Sequence, residues 1–269
     1  MTLGWYPRLL QTVLLRVRPN LLAAKIKSWL GVKRVPLGTD HGTFWIDPVS
    51  LLGIALSRRG VHEDGMVKTL QTLLKPGDAF VDLGANEGYF SVIAARLCGA
   101  SGRVLAIEPQ QRLLPVIQEN LRLNQSQSVT LLNVAVGAEA GTAVMHLTAS
   151  TNTGGSGFER RSKFALPTQE VAMHTLEQVL DQQGIAQVDL MKVDIEGFEY
   201  EALLGSPRVF EQQRVKAVAL ELHPTLLADR GKDAADITAL LSRCGYEAIQ
   251  KFGNAVWVAT RTPKRDLDS

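Results

Sequence analysis

The chain has 269 residues, enough for one large α/β domain or for one domain with an N-terminal extension. Its apolar content is ordinary for a chain with a substantial buried core, and a net charge of +2 argues against wholesale nucleic-acid binding. The two cysteines, Cys98 and Cys244, belong to no CxxC or Cys/His cluster and read as reduced core thiols.

Charge is unevenly spread. Met1–Thr39 carries Arg8, Arg16, Arg18, Lys25, Lys27, Lys33 and Arg34 and no acid. Over Met1–Leu30 the apolar Leu9, Leu10, Val13, Leu14 and Val17 recur at helical spacing. This predicts one or two short amphipathic helices, broken at Pro19-Asn20. A basic amphipathic helix suits peripheral contact with an anionic membrane, and equally a helical extension packed on the main domain or on a second copy in a homo-oligomer; the second reading is favoured. The run Leu9–Leu15 is broken by Arg16 and lacks a small-residue cleavage site. No apolar run has transmembrane length, so the cytoplasm is the expected location.

Val32–Asp47 reads as a hairpin around Asp40-His41-Gly42, and Leu51–Leu74 as helical. The domain boundary is placed here, with residues 1–47 as extension and 48–269 as the main domain. From Asp78 strands and helices alternate: Ala79–Leu83, Glu87–Leu97 (helix), Arg103–Ile107, Pro109–Asn124 (helix) and Ser128–Val136. Gly137–Glu170 interrupts the rhythm with a strand, Thr142–Leu147, and a polar loop over Thr148–Gly157 that suits either a lid or a linker. It resumes with Leu176–Gln183 (helix), Val188–Val193, Gly197–Leu204 (helix), Ala217–Leu222, Ala234–Cys244 (helix), Tyr246–Lys251 and Ala255–Thr260. The last two strands are joined by a tight turn at Phe252-Gly253-Asn254, which makes one strand antiparallel to an otherwise parallel sheet with helices on both faces.

Asp82-Leu-Gly84-Ala-Asn86-Glu-Gly88 lies between the first strand and the first helix of this series. Gly84 allows a sharp turn, Asn86 can cap the helix, and Gly88 lets the helix pack close. A dinucleotide wants G-x-G-x-x-G; here the spacing differs, and Glu87 would set an anion beside a pyrophosphate. S-adenosylmethionine has no phosphate, and its amino-acid end suits Asp82 and free backbone N–H groups. Glu108, at the carboxyl end of the second strand, can accept both ribose hydroxyls, or cap the helix that follows. Together these features favour an adenosine-type ligand.

The run Lys75-Pro-Gly-Asp-Ala-Phe-Val-Asp-Leu-Gly-Ala-Asn-Glu-Gly-Tyr-Phe-Ser91, then Ala106-Ile-Glu-Pro109, Asn120-Leu-Arg-Leu-Asn124, Asn133-Val-Ala-Val-Gly137 and Asp189-Leu-Met-Lys-Val-Asp-Ile-Glu-Gly-Phe-Glu199 resembles the FkbM family of methyltransferases. The resemblance covers about residues 60–221 and departs from the family only slightly, at Thr175-Leu-Glu177. It implies a class I, Rossmann-like fold with a seven-stranded, mostly parallel sheet. It also implies S-adenosyl-L-methionine as cofactor and transfer to a hydroxyl of a small molecule, sugar or glycan. Carried over, Asp82, Gly84, Asn86 and Gly88 form the methionine-side loop, Glu108 holds the ribose, and Asn133 or Ala135 lies near the adenine.

Methyl transfer to an alcohol gains from a base near the acceptor. Lys192 and Asp194 share one strand face, Glu196 follows, and Glu221 and His223 close the next strand. Asp194 is the leading catalytic candidate, with His223 second and Lys192 as its partner. Asp194, Glu196 and Glu221 also suit a divalent metal. Crowding here can raise a carboxylate or tune His223 as a base; an ion-pair network around Lys192 is the structural alternative. Glu63 can close over the methionine end or cap a surface helix. His174 reads as an ordinary strand residue, and His41 and His62 have no assigned partner. Two competing readings are a catalytically inactive scaffold on the same fold and a nicotinamide-dependent oxidoreductase, the latter disfavoured by the glycine spacing.

Overall fold

A computed structural model of the chain describes residues 26–148, 152–158 and 166–260. The helices expected over Met1–Leu30 fall largely outside these residues; within them, residues 26–29 form one helical turn. A hairpin of β1 (Val35–Thr39) and β2 (Gly42–Ile46) follows, turning at Asp40-His41. The Leu51–Leu74 stretch is two helices, α1 (Leu51–Arg59) and α2 (Asp64–Leu73), not one. Gly60 closes α1 in the left-handed region at φ 73°, and Glu63 starts α2 at φ 47°, so the helical path cannot continue.

Among the described residues, seven strands form the central sheet. They are β3 (Ala79–Leu83), β4 (Arg103–Ile107), β5 (Val129–Leu132), β9 (Leu190–Val193), β10 (Ala217–Leu220), β11 (Tyr246–Lys251) and β12 (Asn254–Ala259), in the order β11-β12-β10-β9-β3-β4-β5. Only β12 runs against its neighbours, because Phe252 and Gly253 at φ 50° and 87° make the tight turn that folds it back between β11 and β10. Alternate residues feed two cores. Val81, Leu83, Leu105, Ile107, Val218 and Leu220 face α5 (Leu176–Gln182), α6 (Glu199–Leu204), α7 (Pro207–Glu211) and α9 (Ala234–Arg243). Phe80, Val104, Ala217 and Ala219 face α1, α2 and α3 (Tyr89–Cys98), together with Phe44 and Ile46 of the hairpin. Cys98 is buried, Cys244 half-buried, and both are free thiols. Among the described residues no helix is long and apolar enough to cross a membrane.

Two corrections bear on the site. Ser128–Val136 is not one strand: the chain leaves the sheet at Leu132, and β6 (Ala135–Val136) joins β7 (Gly141–His146) and β8 (Thr168–His174) in a separate three-stranded sheet. The cause is Asn133, whose side-chain amide donates at 2.9 Å to the carbonyls of both Glu108 and Pro109 and bends the chain away. The helix expected from Glu87 starts at Tyr89, and the one expected from Gly197 starts at Glu199; Gly88 at φ 77° and Gly197 at φ 91° hold the preceding residues out of helical geometry. The short helices α7 and α8 (Pro224–Ala228) were not expected, each being too brief to show a period, and of strand β8 only the strand placement of His174 was. The second helix of the series, α4, is confined to Leu114–Leu123.

Candidate active site

A cavity of about 610 Å³ opens at the carboxyl ends of β3, β4 and β9, roofed by the small sheet and by residues 154–158. Part of that space is open to solvent, and the position is where open α/β sheets bind ligands. Leu83, Ile107, Val134, Ala135, Met145 and Phe158 supply apolar wall; Glu108, Asp194 and Glu196 supply charge.

The loop from Asp82 to Gly88 is tied down at every turn. Gly84 has φ 90°, and a Cβ there would sit 1.9 Å from the Asp194 carbonyl, so only glycine lets β3 and β9 end so close together. Gly84 and Ala85 donate their N–H groups to Ile107, Gly88 donates to Ala85, and Asn86 donates to Glu108 Oε2 at 2.7 Å. These amides are therefore spent within the protein. These four form no phosphate cradle, and the free N–H groups expected for a ligand are those at the start of α3. Asn86, at φ 50°, does not cap α3, whose N-cap is Gly88; its side-chain oxygen accepts from Thr153 Oγ1 at 2.7 Å and ties the loop to the roof. Gly88 serves the approach of α4, not of the strand: a Cβ there would meet Ile117 Cγ2 at 3.0 Å. Glu87 presents no free anion either. It is buried and held by Arg34 at 2.7 and 3.1 Å, so it gives no argument against a pyrophosphate.

Glu108 is 2% exposed, and its two oxygens accept from the Asn86 and Gln110 N–H groups at 2.7 and 2.9 Å. Burial raises its carboxyl to about 7 despite those bonds. Ala135 stands on the cavity wall, whereas Asn133 braces the Glu108–Pro109 backbone from behind. Asp82 is fully buried and lies off the wall. Its Oδ2 accepts from Ser91 Oγ at 2.6 Å, its Oδ1 has no hydrogen-bond partner, and burial raises its carboxyl despite Lys192 at 4.0 Å.

The expected ionisable groups do meet. Lys192 Nζ lies 3.1 Å from Asp194 Oδ2 and 5.2 Å from the Phe90 ring centre. Burial opposes its charge, but Asp194, Asp82 and Glu63 raise its pKa, so it stays protonated. Asp194 feels burial too, yet Lys192, His223 and His62 hold it below the usual carboxylate range. His223 gives Nδ1 to Glu199 Oε1 at 2.8 Å, and its Nε2 lies 3.9 Å from Asp194 Oδ1. The Glu199 hydrogen bond, against burial and with the charges of Glu199, Glu196 and Asp194, raises the ring to about 9. At neutral pH His223 is thus a cation, which corrects the expectation of a tuned base. Glu221 is exposed as a residue, yet its carboxyl is partly desolvated, and that desolvation, with the charges of Asp194 and Glu63, raises it. Donor atoms of Asp194, Glu196 and His223 lie within 4.8 Å of one another, so His223 takes the place expected for Glu221 in the metal-type cluster. Glu63 starts α2 without capping it, pairs with His62 at 3.0 Å and stands off the cavity wall. His174 lies in β8.

Three participants escaped sequence reasoning. Glu199 ends the quoted Asp189–Glu199 segment, and its place at the start of a short helix was the available signal. His62 packs edge-on against Tyr89 at 5.9 Å. Arg34 lies outside every motif, and only the tertiary structure brings it to Glu87.

The sheet order, the single antiparallel strand and the cavity at the β3 and β4 ends define a class I methyltransferase. Residues 82–248 match the methyltransferase FkbM domain, and the chain belongs to that family of methyltransferases. It is 30% identical over 161 residues to methyltransferase sdnD of Sordaria araneosa, covering 48% of this chain and 61% of that protein. It is 37% identical over 125 residues to the ribosomal protein L11 methyltransferase of Chloroflexus aurantiacus, covering 45% and 34%. The chain thus spans less than two thirds of either relative. Among solved structures, a methyltransferase FkbM from Methylobacillus flagellatus superposes with a TM-score of 0.45 at 17% identity, over 71% of this chain and 50% of that one. Fibrillarin of Aeropyrum pernix, in complex with S-adenosyl-L-methionine, gives 0.41 at 13%, over 72% and 73%.

Proposed function

We propose that this methyltransferase takes its methyl group from S-adenosyl-L-methionine and transfers it to a hydroxyl oxygen of a small molecule, sugar or glycan. One observation carries the reading: Glu108 and Asp194 stand on the wall of one cavity, an acid suited to a ribose diol and an ionised acid suited to an acceptor hydroxyl. The residues fit the cofactor. Glu108 keeps lone pairs beyond its two backbone bonds, and Ile107, Val134 and Ala135 offer apolar surface beside it. Asp82 acts from behind the wall, through Lys192.

Bound S-adenosylmethionine supplies a methyl carbon made electrophilic by its sulfonium. The chain's part is alignment and the proton. Asp194 stays ionised between Lys192 and His223, so its Oδ1 accepts the acceptor's O–H, orients it and takes the proton as the oxygen is methylated. His223, already protonated, fixes and charges Asp194 and takes no proton itself. The clustering of Asp194, Glu196 and His223 donors supports a second reading, in which a divalent cation displaces the His223 proton, is held by these three residues and lowers the acceptor hydroxyl's pKa. Calorimetry with Mn²⁺ on the full chain tests it, and absence of binding rules it out.

Calorimetry with S-adenosylmethionine tests the first claim, and no binding would sink it. A mass-shift screen for one added methyl across hydroxylated acceptors tests the second. Cofactor binding with no methylated product from any acceptor would point to an inactive scaffold.

A further inference from the structure

The β1–β2 hairpin precedes the matched family region, yet it is bolted to the cofactor loop. Arg34, just before β1, meets both oxygens of Glu87 and also donates to the Trp45 carbonyl at 3.0 Å, with its guanidinium carbon 5.8 Å from the Trp45 ring centre. Asn120 of α4 bridges the same two elements. Its oxygen accepts the Trp45 N–H at 2.6 Å and its amide donates to the Glu87 carbonyl at 2.7 Å. One turn on, Asn124 accepts from Thr43 N–H at 2.9 Å and donates to its carbonyl at 2.7 Å. Glu87 lies between two residues in the left-handed region, Asn86 and Gly88. Asn86 pays strain for that conformation and holds it only because its surroundings over-determine it. Its N–H fixes Glu108, and its side chain fixes the roof.

We infer that Arg34 is a positioning residue of the cofactor site: through Glu87 it draws the loop outward onto the hairpin, so that Asn86 and Glu108 keep their places on the cavity wall. The inference rests on the reading of Asp82–Gly88 as the cofactor loop. A two-point guanidinium–carboxylate pair sets direction as well as distance, which an ammonium does not. A Glu87 left unpaired would seek water, because a buried carboxylate without its cation is strongly disfavoured. Moving toward solvent, it would carry Asn86 with it.

The test is S-adenosylmethionine calorimetry on the full chain with Arg34→Met, Arg34→Lys, Glu87→Gln and the double Arg34→Met/Glu87→Gln. Arg34→Met should weaken binding by about tenfold or more, Arg34→Lys by less. The double variant should be weakened less than Arg34→Met alone, because no carboxylate is left to pull the loop out. An Ile46→Val variant, which loosens the hairpin core at a residue away from the loop, should lose thermal stability but keep its affinity. Hydrogen exchange across residues 84–88 should quicken in Arg34→Met and not in Ile46→Val, a readout that needs no cofactor. Unchanged affinity and unchanged exchange in Arg34→Met would overturn the inference, as would a matching affinity loss in Ile46→Val. A wild-type chain that binds no S-adenosylmethionine would instead fail the cofactor reading, and the role proposed for Arg34 with it.

Discussion

Glu108→Gln should change stability with a sign that depends on pH. Glu108 is almost fully buried, and burial lifts its carboxyl from 4.5 in an unfolded chain to about 7 in the fold. Below the unfolded value both states hold the proton, and the group is neutral in the balance. Between the two values the folded state binds more proton than the unfolded one, so stability falls as pH rises; above about 7 the loss is complete. At 1.4 kcal/mol per tenfold in equilibrium, the ionised carboxylate costs the fold about 3 kcal/mol. Glutamine carries no charge and escapes that cost. It also replaces one accepting oxygen by an NH2 that faces the N–H of Asn86 or Gln110, a loss of about 1–3 kcal/mol at any pH. Urea unfolding of both chains at about pH 4.5 and about pH 8 measures the difference. The variant should be the weaker at the acid end and should gain about 3 kcal/mol on the wild type at the alkaline end. A stability difference that stays flat over this range would refute the reasoning.

Further expectations concern the other wall and the loop. Gly84→Ala places a Cβ 1.9 Å from the Asp194 carbonyl at φ 90°, so strain and overlap together should cost on the order of 4 kcal/mol, read as a lower urea midpoint at constant slope. Wild-type stability in that variant would mean that β3 and β9 can part freely. Asp194→Asn should lower turnover about a hundredfold or more while cofactor affinity moves by no more than about threefold; activity that survives it would place the proton acceptor elsewhere. The His223 ring should titrate near 9 by NMR. Because that value is raised, the stability drawn from the Glu199 pair is full below the unfolded value of 6.5 and is lost as pH rises through about 9. Glu199→Gln should bring the titration down, and a wild-type ring titrating in the ordinary range would rule the pairing out.

Much of this was legible in the residues because it is written locally. Period-two burial in Val81/Leu83 against Phe80, and the positive-φ demands on Gly84 and Phe252-Gly253, act over a few residues, so the sheet, its one reversed strand and the loop could be read in order. The strand ends also carried Lys192, Asp194 and His223 to one crevice, as their spacing implied. What could not be read depends on distant partners. The protonation of His223 is set by Glu199, 24 residues away, and the neutralisation of Glu87 by Arg34, 53 residues away. The split after Leu132 depends on Asn133 finding two carbonyls 24 and 25 residues upstream, which no local pattern announces.

That split has a consequence for how such a protein diversifies. The sheet of β6, β7 and β8 has its own small apolar centre, Ala135, Met145 and Val171, apart from the two large cores that flank the central sheet. The roof is anchored to the body at discrete points, among them Val136 of β6 in the larger core and Thr153 on Asn86. A cover remodelled around a new acceptor can therefore keep the donor chemistry as long as those anchors stay, whereas a change at either one reaches the loop that carries Asn86.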